Sequence, residues 1–198
     1  MKNIIHGITL FAFTAVILTA CAQPGQQVIP ASSNNENQTA NQGTGTVTNP
    51  GSSANLTTAK NLCQVLPAAE VSKLTGITFT KTEHKIDNSQ NPYITDCFYS
   101  NDDAYSVAII ANYDNEGLTA KQQYQQVVDY QKGQEKQFPS TKITGLGEEA
   151  FMPSTGILTQ INALNKNIWI TLSLYNNADA STRQSQAKAI IQKAFDVL

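Results

Sequence analysis

The feature that most constrains the fold of this chain is an alternation near its C-terminus, from Ile168 to Tyr175. One set of alternate positions is aliphatic: Ile168, Ile170, Leu172 and Leu174. The positions between them hold Trp169, Thr171, Ser173 and Tyr175. Because successive side chains of a strand point to opposite faces, this pattern predicts a strand with one aliphatic face. The fold must therefore contain a sheet and a second layer that buries that face.

Five further segments have the alternation and composition of strands. They are residues 77–83, 94–100, 104–113, 149–152 and 157–164. The segments 94–100 and 104–113 flank Asn101-Asp102 and are predicted to form a hairpin.

Three helices are predicted around these strands. Pro67 can begin a helix over 67–75, for which Gly76 suits the C-terminal cap. Thr119 and Gln122 form a capping box before a helix over about 119–136. Asp179 caps an amphipathic C-terminal helix. The order of elements predicts an α+β domain, in which an antiparallel sheet of about six strands is covered by two or three helices.

The N-terminal segment has the layout of a bacterial export signal. Lys2 precedes an apolar run that ends at Leu18-Thr19-Ala20-Cys21. Those four residues resemble the lipobox, in which the cysteine receives diacylglycerol and the signal is cut before it. A membrane-spanning helix is the alternative, but it needs about 20 apolar residues, and this shorter run contains His6. We therefore predict that residues 1–20 are a signal peptide and that lipid on Cys21 anchors the mature protein in the membrane.

The residue after Cys21 bears on which membrane holds the anchor. In Gram-negative lipoproteins an aspartate at this position is the usual signal for retention in the inner membrane, whereas this chain has Ala22. The sequence thus predicts a location in the bacterial cell envelope and favours the outer membrane if the cell is Gram-negative.

Residues 21–58 are predicted to be a lipidated, disordered tether. The segment after Cys21 is rich in Gln, Asn, Ser, Thr, Gly and Pro, with a single charge at Glu36 and no aromatic residue. Such a composition cannot bury enough apolar surface to fold. The remaining residues, 59–198, have the length of one α+β domain.

The charge of the chain argues against one class of partner. The formal net charge is -2, and removal of residues 1–20, which contain Lys2 and no acid, makes it about -3. Nucleic-acid binding requires clustered Lys and Arg, and the sequence shows no basic patch. Arg183 is the only arginine, so the sequence also offers little support for bidentate binding of phosphate groups.

Two cysteines remain once Cys21 is assigned to lipid. Cys63 and Cys97 would lie in an oxidising envelope, so we predict that they pair. Closing a loop of this length stabilises a domain by about 3.5 to 4 kcal/mol in the chain-entropy account. A redox or metal-binding pair is the alternative, but Cys-x-x-Cys spacing and a nearby histidine cluster are both missing.

Two groups of motifs resemble known sequences. The segment Cys63 to Val71, Gly76 and Cys97-Phe98-Tyr99 resembles a pattern in small secreted bacterial lipoproteins, best known from actinobacteria. The segment Gly145 to Phe151 resembles the Gly-Leu-Gly-Asp-Glu-Ala motif of those proteins and of PsbP-like domains, with Glu148 in place of the aspartate. Phe98-Tyr99 stands where a tryptophan is common. The resemblance spans most of 61–198 and implies a disulfide-pinned PsbP-like fold. It implies no reaction, because none is established for the family.

No catalytic residue, metal site or cofactor is predicted. His84, the single histidine after residue 20, lies in a polar run and is interpreted as an exposed loop residue. Adjacent Glu148 and Glu149 would point to opposite faces of a strand and cannot converge on one bond. Residues 114–116 offer oxygen ligands but lack the length and spacing of a calcium loop.

The polar face of the last strand carries the candidate binding surface, formed by Trp169, Tyr175, Thr171 and Ser173. If helices cover only the aliphatic face, this surface is exposed and suits an envelope protein or a glycan. The alternative, which we favour, is that Trp169 fills a smaller core under the middle helix. The leading hypothesis for function is a non-enzymatic binding or accessory module. The alternative is an envelope hydrolase or thiol redox enzyme.

Overall fold

An antiparallel sheet of seven strands organises the part of the chain that this computed structural model describes, residues 56–154 and 156–198. The strands are β1 (Lys81–Glu83), β2 (Ile94–Ser100), β3 (Ser106–Tyr113), β4 (Ser140–Lys142), β5 (Glu149–Pro153), β6 (Thr159–Asn165) and β7 (Ile168–Tyr175). Their order in the sheet is β1-β2-β3-β7-β6-β5-β4. Two meanders, β1 to β3 and β4 to β7, therefore meet at the central pair β3 and β7.

Four helices accompany the sheet: α1 (Leu62–Val65), α2 (Ala68–Thr75), α3 (Ala120–Gln134) and α4 (Ala180–Val197). The predicted caps are present. The Thr119 side chain and the Gln122 side chain form the reciprocal capping box of α3, and Asp179 accepts a hydrogen bond from the Thr182 amide at the start of α4. Gly76 ends α2 with a φ of 71°.

The two faces of the sheet differ in what covers them. The core face carries the aliphatic residues of β7 together with Val107, Ile109 and Ala111 of β3, all of which are buried. Helix α4 buries Ala187, Ile190, Ile191 and Ala194 against this face. Helix α3 packs on the opposite face, which we call the second face, against β6 and β7.

The predicted α+β class and antiparallel sheet are confirmed. Within the described residues, however, the sheet has seven strands instead of about six, and four helices are present instead of two or three. The strand β4 was missed because its sequence, Ser-Thr-Lys, carries no apolar residue. Helix α1, which has four residues, is likewise too short for a periodic pattern.

The first predicted strand, 77–83, is correct only at its end. β1 covers Lys81–Glu83. The amides of Ile77 and Phe79 instead bond to the side chains of Thr75 and Ser72, which turns this segment back onto α2. Phe79 is buried in the core, so its burial was predictable although its strand was not.

The Gly-Leu-Gly motif forms a turn that docks on β6. Leu146 inserts into the core, and the Glu148 amide donates to the Leu164 carbonyl. Gly147 has a φ of 61°, and a Cβ there would lie 2.3 Å from the same carbonyl oxygen. A side chain is therefore excluded at Gly147, which gives this motif a structural role.

Cys21 and the predicted signal peptide lie outside the described residues, as does most of the predicted tether. Among residues 56–154 and 156–198, no helix combines the length and the apolar character needed to cross a membrane.

Candidate functional site

The predicted disulfide between Cys63 and Cys97 is present. It joins α1 to the core face of β2, and the Cα atoms of the two residues are 5.1 Å apart. Cys97 is fully buried. The pair thus closes a loop over 34 positions and fixes the first helix against the sheet.

Trp169 lies on the second face of β7, in a small cluster under α3. The buried members of this cluster are Ala120 and Tyr124 of α3 with Phe151 and Leu164 of β5 and β6. Trp169 packs against them and is partly buried, and its indole Nε1 has no hydrogen-bond partner in the described part of the chain. It is therefore part of the contact between α3 and the sheet.

The other three residues of the predicted surface lie further along β7. Thr171 donates a hydrogen bond of 2.8 Å to the Asn162 side chain of β6, and Ser173 is half-buried. Tyr175 is 37% exposed. The four predicted residues thus share one face, but only Trp169 packs in the cluster beneath α3.

Beyond the reach of α3, the second face carries small side chains between two aromatic rings. Strand register places Phe98, Ala108 and Ser173 in one row across β2, β3 and β7, and Ser100, Ser106 and Tyr175 in the next. We call these six residues the open face. Normal strand and residue spacings put Phe98 and Tyr175, at diagonally opposite corners, roughly 12 Å apart. The small residues between them form a shallow floor.

The flank at Phe98 is covered by a loop. The ammonium of Lys85 lies 4.5 Å from the centroid of the Phe98 ring, a distance typical of a cation–π contact. Lys85 belongs to the loop of residues 84–93, which we call the β1–β2 loop. The loop therefore lies at the Phe98 corner of the open face, and Tyr175 occupies the opposite corner.

His84, at the start of the β1–β2 loop, differs from the exposed residue that we expected. Its side chain is 22% exposed, and Nδ1 lies 2.7 Å from a carboxylate oxygen of the buried Asp96. The pair was not predicted, because the two residues are twelve positions apart and come together only when β1 pairs with β2.

Both ring nitrogens of His84 face oxygen atoms. Nδ1 also lies 2.9 Å from the Asp96 carbonyl, and Nε2 lies 2.8 Å from the side-chain oxygen of Asn88. Burial lowers the pKa of His84, but the hydrogen bonds to Asp96 and Asn88 and the charge of Asp96 outweigh it and hold the pKa above its ordinary value. Because Nε2 is occupied by an amide, this pair does not have the arrangement of a base that activates a nucleophile.

A groove of about 310 Å³ lies between α3 and the β4–β5 edge. Tyr124 and Phe151 form its floor, with ring centroids 5.8 Å apart, and Lys132 and Lys142 stand at its rim. Burial, and then the charge of Glu149, raise the pKa of Tyr124 to about 12. The lining of the groove also includes Ser140 and Glu149, and the Ser140 hydroxyl donates a hydrogen bond of 3.0 Å to the carboxylate of Glu135.

The two edges of the sheet are poor sites for strand addition. The edge strands β1 and β4 have three residues each, and both carry lysine. The Ser140 amide donates to the carboxylate of Glu135, so one backbone donor of the β4 edge is already satisfied. Short and charged edges of this kind oppose pairing with another chain.

In the oxygen-rich segment at residues 114–116, two side chains accept hydrogen bonds from nearby backbone amides. Asp114 accepts a hydrogen bond from the Ala120 amide, and Asn115 accepts from the amides of Gly117 and Leu118. Both side chains therefore shape the entry to α3. Across the described ranges, no group of three or more His, Cys, Asp or Glu side chains is arranged to hold a metal ion.

These features define a disulfide-linked α+β domain with a half-covered sheet. No protein-family model, curated protein or solved structure matches the chain in comparisons with known proteins.

Proposed function

We propose that this protein is a lipid-anchored component of the bacterial cell envelope that binds another envelope component and does not transform it. The anchor rests on the sequence around Cys21, where lipid would hold the protein at a membrane. The binding role rests on the open face, and this single observation carries the proposal. This sheet face places two aromatic rings, which can pack against a ligand, beside hydroxyl groups that can form hydrogen bonds with it.

A glycan is the envelope component that the open face suits best. Sugars present flat C–H faces that can lie on aromatic rings and hydroxyl groups that need hydrogen-bonding partners. Phe98 and Tyr175 offer rings at two corners, and Ser100, Ser106 and Ser173 offer hydroxyl groups between them. None of these six residues is charged, which fits a ligand of low charge better than an ionic one.

The finer fold assignment also belongs to this proposal. We infer a PsbP-like domain from the Gly145–Phe151 motif and from the cysteine pair. The constraint on Gly147 supports this inference, because a close approach to the Leu164 carbonyl gives a physical reason for a glycine in such a motif. An experimental structure of a PsbP-like domain with a different turn at this position would count against it.

Binding to isolated peptidoglycan sacculi tests the proposed function. Full-length protein in detergent is expected to sediment with sacculi, and Tyr175→Ala is expected to weaken this binding by about tenfold, the size of effect typical of a contributing aromatic contact. Tyr130→Ala is the matched control, since Tyr130 is an exposed tyrosine of α3 on another surface, with 59% exposure.

Three outcomes would contradict the proposal. One is that wild-type protein does not bind sacculi. Another is that Tyr175→Ala and Tyr130→Ala weaken binding equally, which would show a nonspecific interaction. The third is a loss confined to Lys142→Glu, which would move the binding site to the groove between α3 and β4.

A further inference from the structure

The side chain of His84 lies at the centre of the contacts that hold the β1–β2 loop. Its two ring nitrogens reach two different parts of the molecule. Nδ1 contacts the carboxylate and the carbonyl of Asp96 on β2, and Nε2 contacts Asn88 further along the loop. The Asp96 carboxylate in turn accepts hydrogen bonds from the amides of Lys85 and Ile86, both at 3.1 Å.

The orientation of the Asn88 amide bears on the protonation state of His84. Asn88 Nδ2 donates to the Ala59 carbonyl at 3.3 Å, so its Oδ1 must be the atom that faces His84. An amide oxygen, a carboxylate and a carbonyl are all acceptors, so both ring nitrogens of His84 must donate. Only the imidazolium form has two donors, so this arrangement favours a protonated ring.

Loss of the proton breaks one of these contacts in either of two ways. If Nε2 loses its hydrogen, its lone pair faces the oxygen of Asn88. If Asn88 then turns its amide over, its oxygen faces the Ala59 carbonyl instead. Ala59 is also joined to the end of the loop, because its amide donates to the Pro92 carbonyl at 2.7 Å.

We propose that protonated His84 is a latch that ties the β1–β2 loop to β2 and to Ala59, and that deprotonation releases the loop from the Phe98 flank of the open face. The effect on ligand binding rests on the proposed function, whereas the latch itself does not. Lys85, whose ammonium covers Phe98, follows directly after His84, so release of the loop uncovers this ring.

The charged groups around His84 favour the latched state at low pH. Asp96 faces the ring from β2. Asp87 lies in the same loop, where hydrogen bonds from Ser89 and, to a smaller extent, the charge of His84 lower its pKa. Glu83 and Lys85, the chain neighbours, pair with each other at 3.2 Å. Since the pKa of His84 in the folded protein is raised, the latch is complete below the unfolded value of about 6.5 and is lost as pH rises through the folded value.

Hydrogen exchange of the full-length protein in detergent tests the latch. Protection of the Lys85 and Ile86 amides, corrected for the intrinsic pH dependence of exchange, is expected to fall by about threefold to tenfold as pH rises between about 5 and 8. His84→Gln is expected to show low protection at every pH. Thr82→Gln, at an exposed position of β1 two residues before His84, is the control and should behave like wild type.

The latch is overturned if protection in the wild-type protein does not change with pH, or if His84→Gln keeps the wild-type pH dependence. Sacculi binding across the same pH steps tests the gating of the open face. Binding that strengthens as the loop is released supports gating, and binding that stays constant while protection falls overturns it. The exchange result needs no ligand, so a failure of glycan binding and a failure of the latch are distinguishable.

Discussion

The two faces of the sheet are built from the same strands, yet they have different roles. The core face of β7 carries four fully or nearly fully buried aliphatic side chains, and α4 closes it with four buried residues. On the second face, α3 buries only Ala120 and Tyr124, and its contact ends near Trp169. The comparison indicates that the core face supplies most of the stability, whereas the second face is covered only in part.

The disulfide belongs to the core face, and its removal is the largest effect that we expect. Cys63→Ala combined with Cys97→Ala should lower the free energy of unfolding by about 4 kcal/mol, because the unfolded chain regains the entropy of a closed loop. Urea unfolding of full-length protein in detergent, with Cys21 unchanged, measures the loss. A loss below about 1 kcal/mol would mean that packing alone holds α1 on the sheet.

The second prediction compares neighbouring residues of β7 that point to opposite faces. Leu172→Ala should cost about 3 kcal/mol, because it leaves a cavity among fully buried neighbours. Ser173→Ala should cost less than about 0.5 kcal/mol, as expected for a half-exposed position. Equal losses in urea unfolding would contradict the difference between the faces.

The sequence predicted the core face better than the second face. Alternation in β7 and the apolar stripe of α4 identified most of the buried residues, because burial on one side leaves a regular period in the sequence. A face that is only partly buried does not produce this regular spacing of apolar residues in the sequence. The same strand pattern was therefore compatible with Trp169 in an exposed patch or under α3, and only the position of α3 decides between them.

His84 and Asp96 show a different limit of sequence analysis. Asp96 lies in a strand whose other residues are mostly apolar or aromatic, and a buried aspartate needs partners that the local sequence does not name. The partners are the His84 ring and two loop amides, which strand pairing brings to it. A charged residue within a predicted strand was the one available signal.

The smallest expected effect concerns two tyrosines of the core face, and it tests whether every polar group there is satisfied. The Tyr99 hydroxyl donates to the Leu66 carbonyl at 2.5 Å, whereas the Tyr113 hydroxyl is buried with no hydrogen-bond partner in the described part of the chain. Burial raises the pKa of Tyr113 to about 12.

Tyr99→Phe should therefore lower the free energy of unfolding by about 1 kcal/mol, because it leaves the Leu66 carbonyl without its partner. Tyr113→Phe should raise the free energy of unfolding or leave it unchanged, with any loss well below that of Tyr99→Phe, because it removes a buried donor that has no hydrogen-bond partner in the described part of the chain. The two substitutions delete the same atom from the same face, so urea unfolding of the pair isolates the hydrogen bond from the packing. If Tyr113→Phe lowers the free energy of unfolding as much as Tyr99→Phe does, the Tyr113 hydroxyl has a hydrogen-bond partner in solution. The core face would then be less completely apolar than its aliphatic residues indicate.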